Sequence, residues 1–319
     1  MSDFKQDIID LFSKTRGGHV DHWLYSDAPR ENMSGSGLWH AFLRASENYY
    51  ILPNEIELIS EVAQDIGQRH PDIDTVVDFG VGDKLAIMNK VLPIIRGLDN
   101  VKMYAGIDVS EDFLKAACKR VSEGAGILAT PINGDFYKDR ITLPGRKKLG
   151  LMLGSTITNQ NMKEGDDFPR AEIVSKLSHI KQTMGAGNHM IFTYDSNPDP
   201  DSAMNAYDHV FWSRHVTGIM YDVNKYAEGN FKPSAWVHKM VWDSNAHVIH
   251  QCSEATENQN FSIDGHDFHI SKGERFVTVN NFKYPLKLFQ DLCEEAGFNI
   301  GKSHQDHQNR MRLQMLSIA

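Results

Sequence analysis

The sequence predicts an α/β protein with a doubly wound, Rossmann-like sheet and a smaller α+β domain. Three observations predict this fold class. A strand, a glycine turn and a helix follow one another over residues 76–98. Gly80, Asp108 and Asp135 then lie at intervals of 28 and 27 residues, which is the length of one strand–helix unit. From Trp236 onward apolar residues recur at every second position, which is typical of antiparallel strands.

The first strand–helix unit begins at Val76. Val76–Phe79 has the apolar run of a buried strand, and Gly80 and Gly82 end it, because glycine lets the backbone bend sharply and approach a ligand closely. A helix is expected from Lys84 to about residue 98, with Pro93 shortening or kinking it. Its predicted apolar positions are Leu85, Met88, Val91, Leu92 and Ile95. This order of elements opens a nucleotide-binding sheet.

The glycine spacing separates two classes of nucleotide. A dinucleotide fingerprint needs a third glycine three positions after Gly82, where this chain has Leu85, so NAD and a nicotinamide-dependent oxidoreductase are disfavoured. The form Asp78-x-Gly80-x-Gly82 instead resembles the first motif of S-adenosylmethionine (SAM)-dependent methyltransferases. An ordinary tight turn between a strand and a helix has the same short pattern, so this motif alone leaves both interpretations open.

Two later strand ends favour a nucleoside ligand. The second strand is expected at residues 104–108, and Asp108 then lies where a ribose diol needs an acceptor. The third strand is expected at residues 126–136. At its end Asp135 can accept a hydrogen bond from an adenine amino group, and Phe136 can lie against the ring. Open α/β sheets bind ligands at the carboxyl ends of their strands, so these positions together predict a nucleoside site.

The later elements divide the chain into two predicted domains. Further strands are expected at 148–155 and 189–194, and a helix containing Ala203 and Phe211 follows the turn cluster at 197–201. A hairpin begins at Trp236, another strand covers 274–281, and a helix at 285–295 and a strand at 310–316 rejoin the sheet. Residues 63–195 and 285–319 are therefore expected to form the nucleotide-binding domain. Residues 1–62 and 196–284 are expected to form the second domain.

Composition excludes several classes of partner. The 319 residues carry a net charge of −9 and contain no basic run, which argues against nucleic acid. The N-terminal stretch contains acids and lacks the apolar core of a signal peptide, and no apolar run is long enough for a bilayer. The sparse cysteines Cys118, Cys252 and Cys293 indicate a reducing compartment, so a cytoplasmic location is expected.

Several motifs resemble a known family. The run Leu153–Asn159, which reads LGSTITN, is similar to the LGSTIGN signature of the histidine-specific Nα-methyltransferases of ergothioneine biosynthesis. Glu47–Tyr50 with Glu55, Ala206–Asp208, Asp108–Ser110 and Gly134–Phe136 match other segments of that family. The resemblance runs from about residue 40 to the end. It implies a SAM-dependent methyltransferase whose second domain binds the substrate.

The resemblance also implies site residues. The implied SAM contacts are Gly80, Lys84, Asp108, Asp135 and Phe136, to which the glycine motif adds Asp78 and Gly82. The implied substrate contacts, which are also the candidate catalytic residues, are Tyr50, Asn159 and Tyr207. In the family, these side chains hold the amino and carboxylate groups of the amino acid. Without the resemblance, the tyrosines would be interpreted as ordinary packing and Asn159 as a loop or cap residue.

The chain departs from the family where the imidazole is held. The family uses a glutamate and a serine in a TEIS segment, which aligns with residues 278–281 and places Val279 and Asn281 at those positions. A family methionine aligns near Gln251. Losing a buried acceptor for the imidazole N–H lowers discrimination. We therefore expect an amino acid or small amine other than histidine. An amide-bearing pocket of Asn280 or Asn281 with Gln251 would favour a polar, uncharged or carboxylate-bearing side chain.

Alternatives remain open at this stage. Methyl transfer to an oxygen or another nitrogen of a small metabolite uses the same cofactor motifs, and a catalytically silent binding module would keep the same fold. A metal site is disfavoured, because the pairs His247/His250 and His266/His269 lie on predicted strands, where residues three apart face opposite sides. The sequence does not define the oligomeric state.

Overall fold

The computed structural model describes residues 2–25 and 33–319. Its helices are α1 (Ser2–Phe12), α2 (Asp21–Leu24), α3 (Gly35–Ala45), α4 (Ile51–Arg69), α5 (Lys84–Ala86), α6 (Leu92–Gly97), α7 (Glu111–Ala125), α8 (Arg170–Met184), α9 (Pro200–Asn205), α10 (Val210–Thr217), α11 (Ile219–Tyr226) and α12 (Leu286–Glu295). A π-helical segment, Ile87–Val91, connects α5 to α6. No helix in these described ranges is long and apolar enough to cross a membrane.

The strands are β1 (Thr75–Phe79), β2 (Met103–Asp108), β3 (Leu128–Asn133), β4 (Lys148–Met152), β5 (His189–Asp195), β6 (Trp236–Asp243), β7 (Val248–Ala255), β8 (Gln259–Ile263), β9 (His266–Ile270), β10 (Arg275–Phe282), β11 (Asn299–Gln305) and β12 (Met311–Ser317). The chain forms two compact units. The first unit comprises Met1–Tyr50, Thr158–Pro169 and Asp199–Lys283, and the second unit comprises Ile51–Ile157, Arg170–Pro198 and Tyr284–Ala319. These ranges differ from the expected division mainly in assigning α4 to the second unit and residues 158–169 to the first.

The second unit contains the doubly wound sheet predicted from the sequence, and this fold class is confirmed. Its strand order is β11-β12-β5-β4-β1-β2-β3. The five strands from β5 to β3 are parallel, and β12 runs antiparallel to β5. The order of connection reverses between β1 and β4, so their carboxyl ends flank the crevice where such sheets bind ligands. The edge strand β11 was not predicted, because its side chains are mostly exposed and show no apolar alternation.

The helix after β1 differs from its prediction in the face that it buries. Leu85 and Met88, both expected in the core, are 44% and 48% exposed. The other three expected positions, Val91, Leu92 and Ile95, are buried as predicted, and Ile87, Lys90 and Ile94 are buried as well. The π-helical segment adds a residue to one turn, which shifts the face that meets the sheet. A charged side chain therefore occupies a core position that the apolar pattern did not indicate.

The first unit contains a three-stranded antiparallel sheet, β10-β7-β6, and the separate hairpin β8-β9. The ring of Phe12 in α1 anchors its core, with centroid distances of 5.0–5.8 Å to the rings of Phe231, Trp236, Phe261, Phe268 and Phe276. The single helix expected around residues 203–211 is two helices, α9 and α10. The chain breaks there because the Nδ1 atom of His209 accepts a hydrogen bond from the amide of Phe211 and so begins a new helix.

Candidate active site

The glycine turn after β1 requires glycine at both expected positions. Gly80 has a φ of +82°, a left-handed conformation, and its amide donates to the carbonyl of Ile107 at 2.9 Å. A Cβ atom on Gly82 would lie 2.3 Å from the Cβ of Ala86, so a side chain cannot fit. The backbone can therefore approach a ligand at the start of α5, as the sequence motif predicts.

Asp108 lies beside this turn. Its Oδ1 accepts the amide of Ser110 at 2.8 Å, and the carboxylate also receives hydrogen bonds from the amides of Val109 and Val81. Burial raises the pKa of Asp108 above its usual value, while these amide donors act in the opposite direction. Because Val81 separates Gly80 from Gly82, one carboxylate connects the end of β2 to the glycine turn.

Asp135 and Phe136 follow β3 in a compact turn. Asp135 accepts the amide of Tyr137 at 2.8 Å through Oδ1, and its Oδ2 lies 3.1 Å from Nζ of Lys138. Phe136 packs edge-on against Phe79, with 6.0 Å between ring centroids. A Cβ built on Gly80 would lie 3.6 Å from the rim of Phe136. The strand itself ends at Asn133, three residues earlier than expected, so the acid belongs to the turn.

The loop after β4 reaches the same edge of the sheet. Thr156, within the LGSTITN run, has its Cγ2 atom 3.6 Å from the position of a Cβ on Gly80. The structure therefore brings Gly80, Phe136, Thr156 and Asp108 together at the carboxyl ends of adjacent strands. An open cradle that a Cβ would fill, bordered by the half-buried carboxylate of Asp108, fits a ribose-bearing ligand.

Two of the predicted cofactor residues have different surroundings. Asp78 is buried in β1, and its carboxyl group accepts the hydroxyl of Tyr104 at 2.8 Å. Burial raises the pKa of Asp78 to about 7, against the opposing effects of the Tyr104 hydrogen bond and the Lys90 charge. Lys84 is the exposed first residue of α5. Contacts of Asp78 and Lys84 with the cofactor stay predictions.

The predicted substrate residues Asn159, Asn281 and Gln251 form a hydrogen-bonded amide chain in the first unit. Trp212 donates its indole N–H to Oε1 of Gln251 at 3.0 Å. Gln251 donates through Nε2 to Oδ1 of Asn281 at 2.9 Å, and Asn281 donates through Nδ2 to Oδ1 of Asn159 at 3.2 Å. His238 also contacts Oε1 of Gln251 through Nε2, at 2.7 Å.

The amide chain has one direction, which Trp212 determines. An indole N–H can only donate, so Gln251 must present its oxygen to Trp212 and its amino group to Asn281. The same reasoning passes from Asn281 to Asn159, whose oxygen is then occupied. In residues 2–25 and 33–319, the side chain of Asn159 has no second hydrogen-bond partner. Its Nδ2 group is thus left to donate to a ligand acceptor.

A β-bulge determines which residues share the face of Gln251. The pairing of β10 with β7 shifts between Val277 and Val279, so Val279 pairs with Gln251 and Asn281 lies on the same face. Val279 is buried in the apolar cluster that also contains Phe4 and Ile8.

Asn280 points to the opposite face of the sheet. Its Nδ2 donates to the carbonyls of Gln160 and Met162 at 2.9 and 2.8 Å, while its Oδ1 meets Nδ1 of His250 at 2.7 Å. Asn280 therefore holds the backbone next to Asn159 against β10. The two adjacent asparagines have different roles, which the sequence did not separate.

Tyr207 is buried next to the amide chain. Its ring lies 5.0 Å from that of Trp212 and 5.7 Å from that of Tyr49, between centroids. The Nζ atom of Lys283 lies over the Tyr207 ring, 5.1 Å from its centroid. Tyr50 is also buried. Ring contact with Trp212 thus connects Tyr207 to the chain that ends at Asn159.

Sequence reasoning missed several residues that organise these sites. Trp212 and His238 orient the amide chain, and Lys90 pairs with Glu55 in the core of the second unit. Lys90 had no signal, because it lies outside the apolar face expected for its helix. For Trp212 no sequence signal existed, because its role depends on a partner 39 residues away.

The two histidine pairs named in the sequence have different surroundings. His250 bonds Asn280, whereas His266 and His269 are exposed on β9. Ligand atoms of Glu57, Glu61 and His307 lie within 4.8 Å of one another, but all three side chains are exposed. Nε2 of His307 lies 3.1 Å from Oε1 of Glu61, which is an ordinary surface hydrogen bond.

The sheet order and the glycine cradle at its switch point define a Rossmann-like nucleoside-binding protein. The chain belongs to the family of histidine-specific, SAM-dependent methyltransferases, whose sequence pattern matches residues 4–318. It is therefore a SAM-dependent methyltransferase, and SAM is its cofactor.

Individual relatives are distant. The N-methyltransferase dtpB of Aspergillus flavus is 24% identical over 272 residues, covering 80% of this chain and 74% of that protein. Ergothioneine biosynthesis protein 1 of Neurospora crassa is 24% identical over 170 residues, which cover 51% of this chain and 18% of that protein. A solved SAM-dependent methyltransferase from Clostridium acetobutylicum ATCC 824 is 11% identical, with a TM-score of 0.43 over 89% of this chain and 97% of that chain. That similarity is too low to support an inference.

Proposed function

We propose that this enzyme methylates the amino nitrogen of a free amino acid or a closely related small amine, and that histidine is not its preferred acceptor. Family membership and the similarity to an N-methyltransferase support methyl transfer to nitrogen. The main support for an amino-acid substrate is the directed amide chain from Trp212 to Asn159.

The direction of the amide chain favours a substrate that carries a carboxylate group. Asn159 presents N–H donors, and a carboxylate is a pure acceptor that binds such donors strongly. An ammonium group at the same position would meet a donor and be repelled. Tyr207 and Tyr50 then hold the amino group, which requires hydroxyl groups that accept as well as donate. Asn159 thus binds the carboxylate group of an α-amino acid, and the two tyrosines bind its amino group.

The side-chain pocket argues against imidazole. The position that carries an acid in the family is Val279, which packs in an apolar cluster, and its neighbours Gln251 and Asn281 are neutral and bonded to each other. Burial lowers the pKa of His238, the titratable group that contacts Gln251, so it is neutral at pH 7. An imidazole N–H would find no charged acceptor among these residues, and leaving it unpaired costs about 1–3 kcal/mol.

The chemistry requires positioning above all. SAM supplies an electrophilic methyl group on a sulfonium, which a nitrogen lone pair attacks in line with the breaking S–C bond. Asn159 fixes the carboxylate, so that the adjacent amino group has a defined place. The amine must be neutral to attack, and the hydroxyls of Tyr50 and Tyr207 are the groups proposed to accept its hydrogen bonds and orient the lone pair.

A screen of amino acids and small amines with SAM tests the proposal by mass spectrometry. We expect a methylated product from an acceptor other than histidine, with carbon–nitrogen connectivity shown by NMR. Preferred turnover of histidine, or methylation at oxygen, would contradict it. Calorimetric titration with SAM and with NAD separates the methyltransferase from an oxidoreductase, which would bind NAD. SAM binding without turnover of any methyl acceptor would indicate a silent binding module.

A further inference from the structure

A buried ion pair lies beneath the loop that follows β4. Glu55 in α4 and Lys90 in the π-helical segment are both buried, with 3.0 Å between Oε2 and Nζ. Replacing such a pair by apolar residues of similar size is often neutral or stabilising, so stability alone does not explain it. A π-helical turn, in addition, is frequent at functional sites.

The second oxygen of Glu55 holds the loop. Oε1 accepts the amide of Gly154 at 2.6 Å and also the hydroxyl of Thr193. Lys90 also approaches Gly154: a Cβ atom built on Gly154 would lie 3.3 Å from Nζ of Lys90. One carboxylate therefore joins α4, β5 and the loop, while Lys90 keeps its charge compensated.

The loop at this point has a strained backbone. Gly154 has a φ of +73°, and the next residue, Ser155, has a φ of +60° although it is not glycine. A left-handed conformation at such a residue costs of order 1 kcal/mol or more and persists only where surrounding contacts hold it. Directly after it, Thr156 faces Gly80 of the cofactor cradle.

We propose that Glu55 is a positioning residue, which Lys90 holds in place and which shapes the cofactor site by fixing the strained turn at Gly154 and Ser155. This inference rests on the placement of SAM at the glycine cradle. The carboxylate accepts the shorter of the two hydrogen bonds of the Gly154 amide, at 2.6 Å against 3.2 Å to Oγ1 of Thr193, so the turn keeps Thr156 against Gly80. Neither Glu55 nor Lys90 has to touch the cofactor.

Two matched double variants separate the acceptor from the charge. The first variant, Glu55→Gln with Lys90→Met, keeps a side-chain oxygen that can accept the Gly154 amide. The second variant, Glu55→Leu with Lys90→Met, has no such oxygen. Neither variant leaves an unpaired buried charge. We expect both to fold. The glutamine variant should bind S-adenosylhomocysteine within about threefold of the wild type, and the leucine variant about tenfold or more weaker. In the leucine variant, amide hydrogen exchange at residues 153–159 should also accelerate.

Equal nucleoside affinity and equal exchange in the two double variants would overturn the proposal. Hydrogen exchange is measured without ligand, so it tests the loop even if the cofactor lies elsewhere. Asp108→Ala in the same titration tests the cofactor placement separately. If neither double variant folds, Thr193→Val decides, because it removes one donor from Glu55 and one contact of Gly154. Faster exchange at 153–159 supports the role of the network, and unchanged exchange contradicts it.

Discussion

Tyr104 donates its phenolic hydrogen to the carboxyl group of Asp78 across 2.8 Å, where β1 and β2 lie side by side in the sheet. Both side chains are buried. The carboxyl group that begins the glycine motif is thus part of the core, and its pKa of about 7 follows mainly from the loss of water around it. This relationship makes the stability of the protein depend on pH.

Asp78→Asn should flatten that dependence. The folded state holds the proton of Asp78 more tightly than the unfolded chain does, so this stabilisation is complete below pH 3.8 and is lost as the pH rises to about 7. The whole effect corresponds to roughly 4 kcal/mol, of which roughly 2–3 kcal/mol falls between pH 5 and 8. Urea denaturation of both proteins across this range measures it. Parallel stability curves would refute the assignment.

Asp108→Ala should weaken SAM binding. Backbone amides hold the carboxylate beside the glycine turn, where we predict that it accepts hydrogen bonds from the ribose. Losing a hydrogen bond to a charged group corresponds to about a tenfold to hundredfold loss of affinity. Isothermal titration measures it, and Asp112→Ala, at an exposed acid in the first turn of α7, is the control. Equal affinities in the two variants would remove Asp108 from the site.

Asn159→Ala should raise the KM for the acceptor about tenfold or more, while SAM affinity stays at the wild-type value. The reason is that Asn159 is the donor end of the amide chain and belongs to the first unit. Steady-state kinetics with the acceptor found in the screen, together with SAM titration, measure both quantities. An unaltered KM would count against the role of Asn159, and an equal loss of SAM affinity would indicate a structural defect instead.

Restoring the family residues should move specificity towards histidine. The double variant Val279→Glu with Asn281→Ser places an acid on the face of Gln251, where an imidazole N–H can donate to it. We expect histidine turnover to rise about tenfold or more relative to the wild type. Thermal stability should fall, because the new carboxylate takes the place of Val279 in an apolar cluster. Histidine turnover unchanged in a folded variant would show that other residues determine specificity.

The sequence determined much of the second unit. Acids and glycines at near-equal intervals reveal parallel strand ends, since each strand–helix unit has a similar length, and Gly80, Asp108 and Phe136 do converge. The buried face of the helix after β1 was predicted wrongly at Leu85 and Met88. A π-helical turn depends on packing against the sheet, which a period of 3.6 residues cannot express.

The sequence by itself determined the fold class, the family and the residue types at both candidate sites, because these follow from local periodicity and short motifs. Only the tertiary structure decided how the side chains act. The bulge in β10 decides that Asn281, and not Asn280, shares the face of Gln251. Trp212 directs an amide chain across two strands, and Glu55 reaches Gly154 from 99 residues away. Hydrogen-bond direction and charge compensation arise between partners distant in the chain, so no pattern along the sequence contains them.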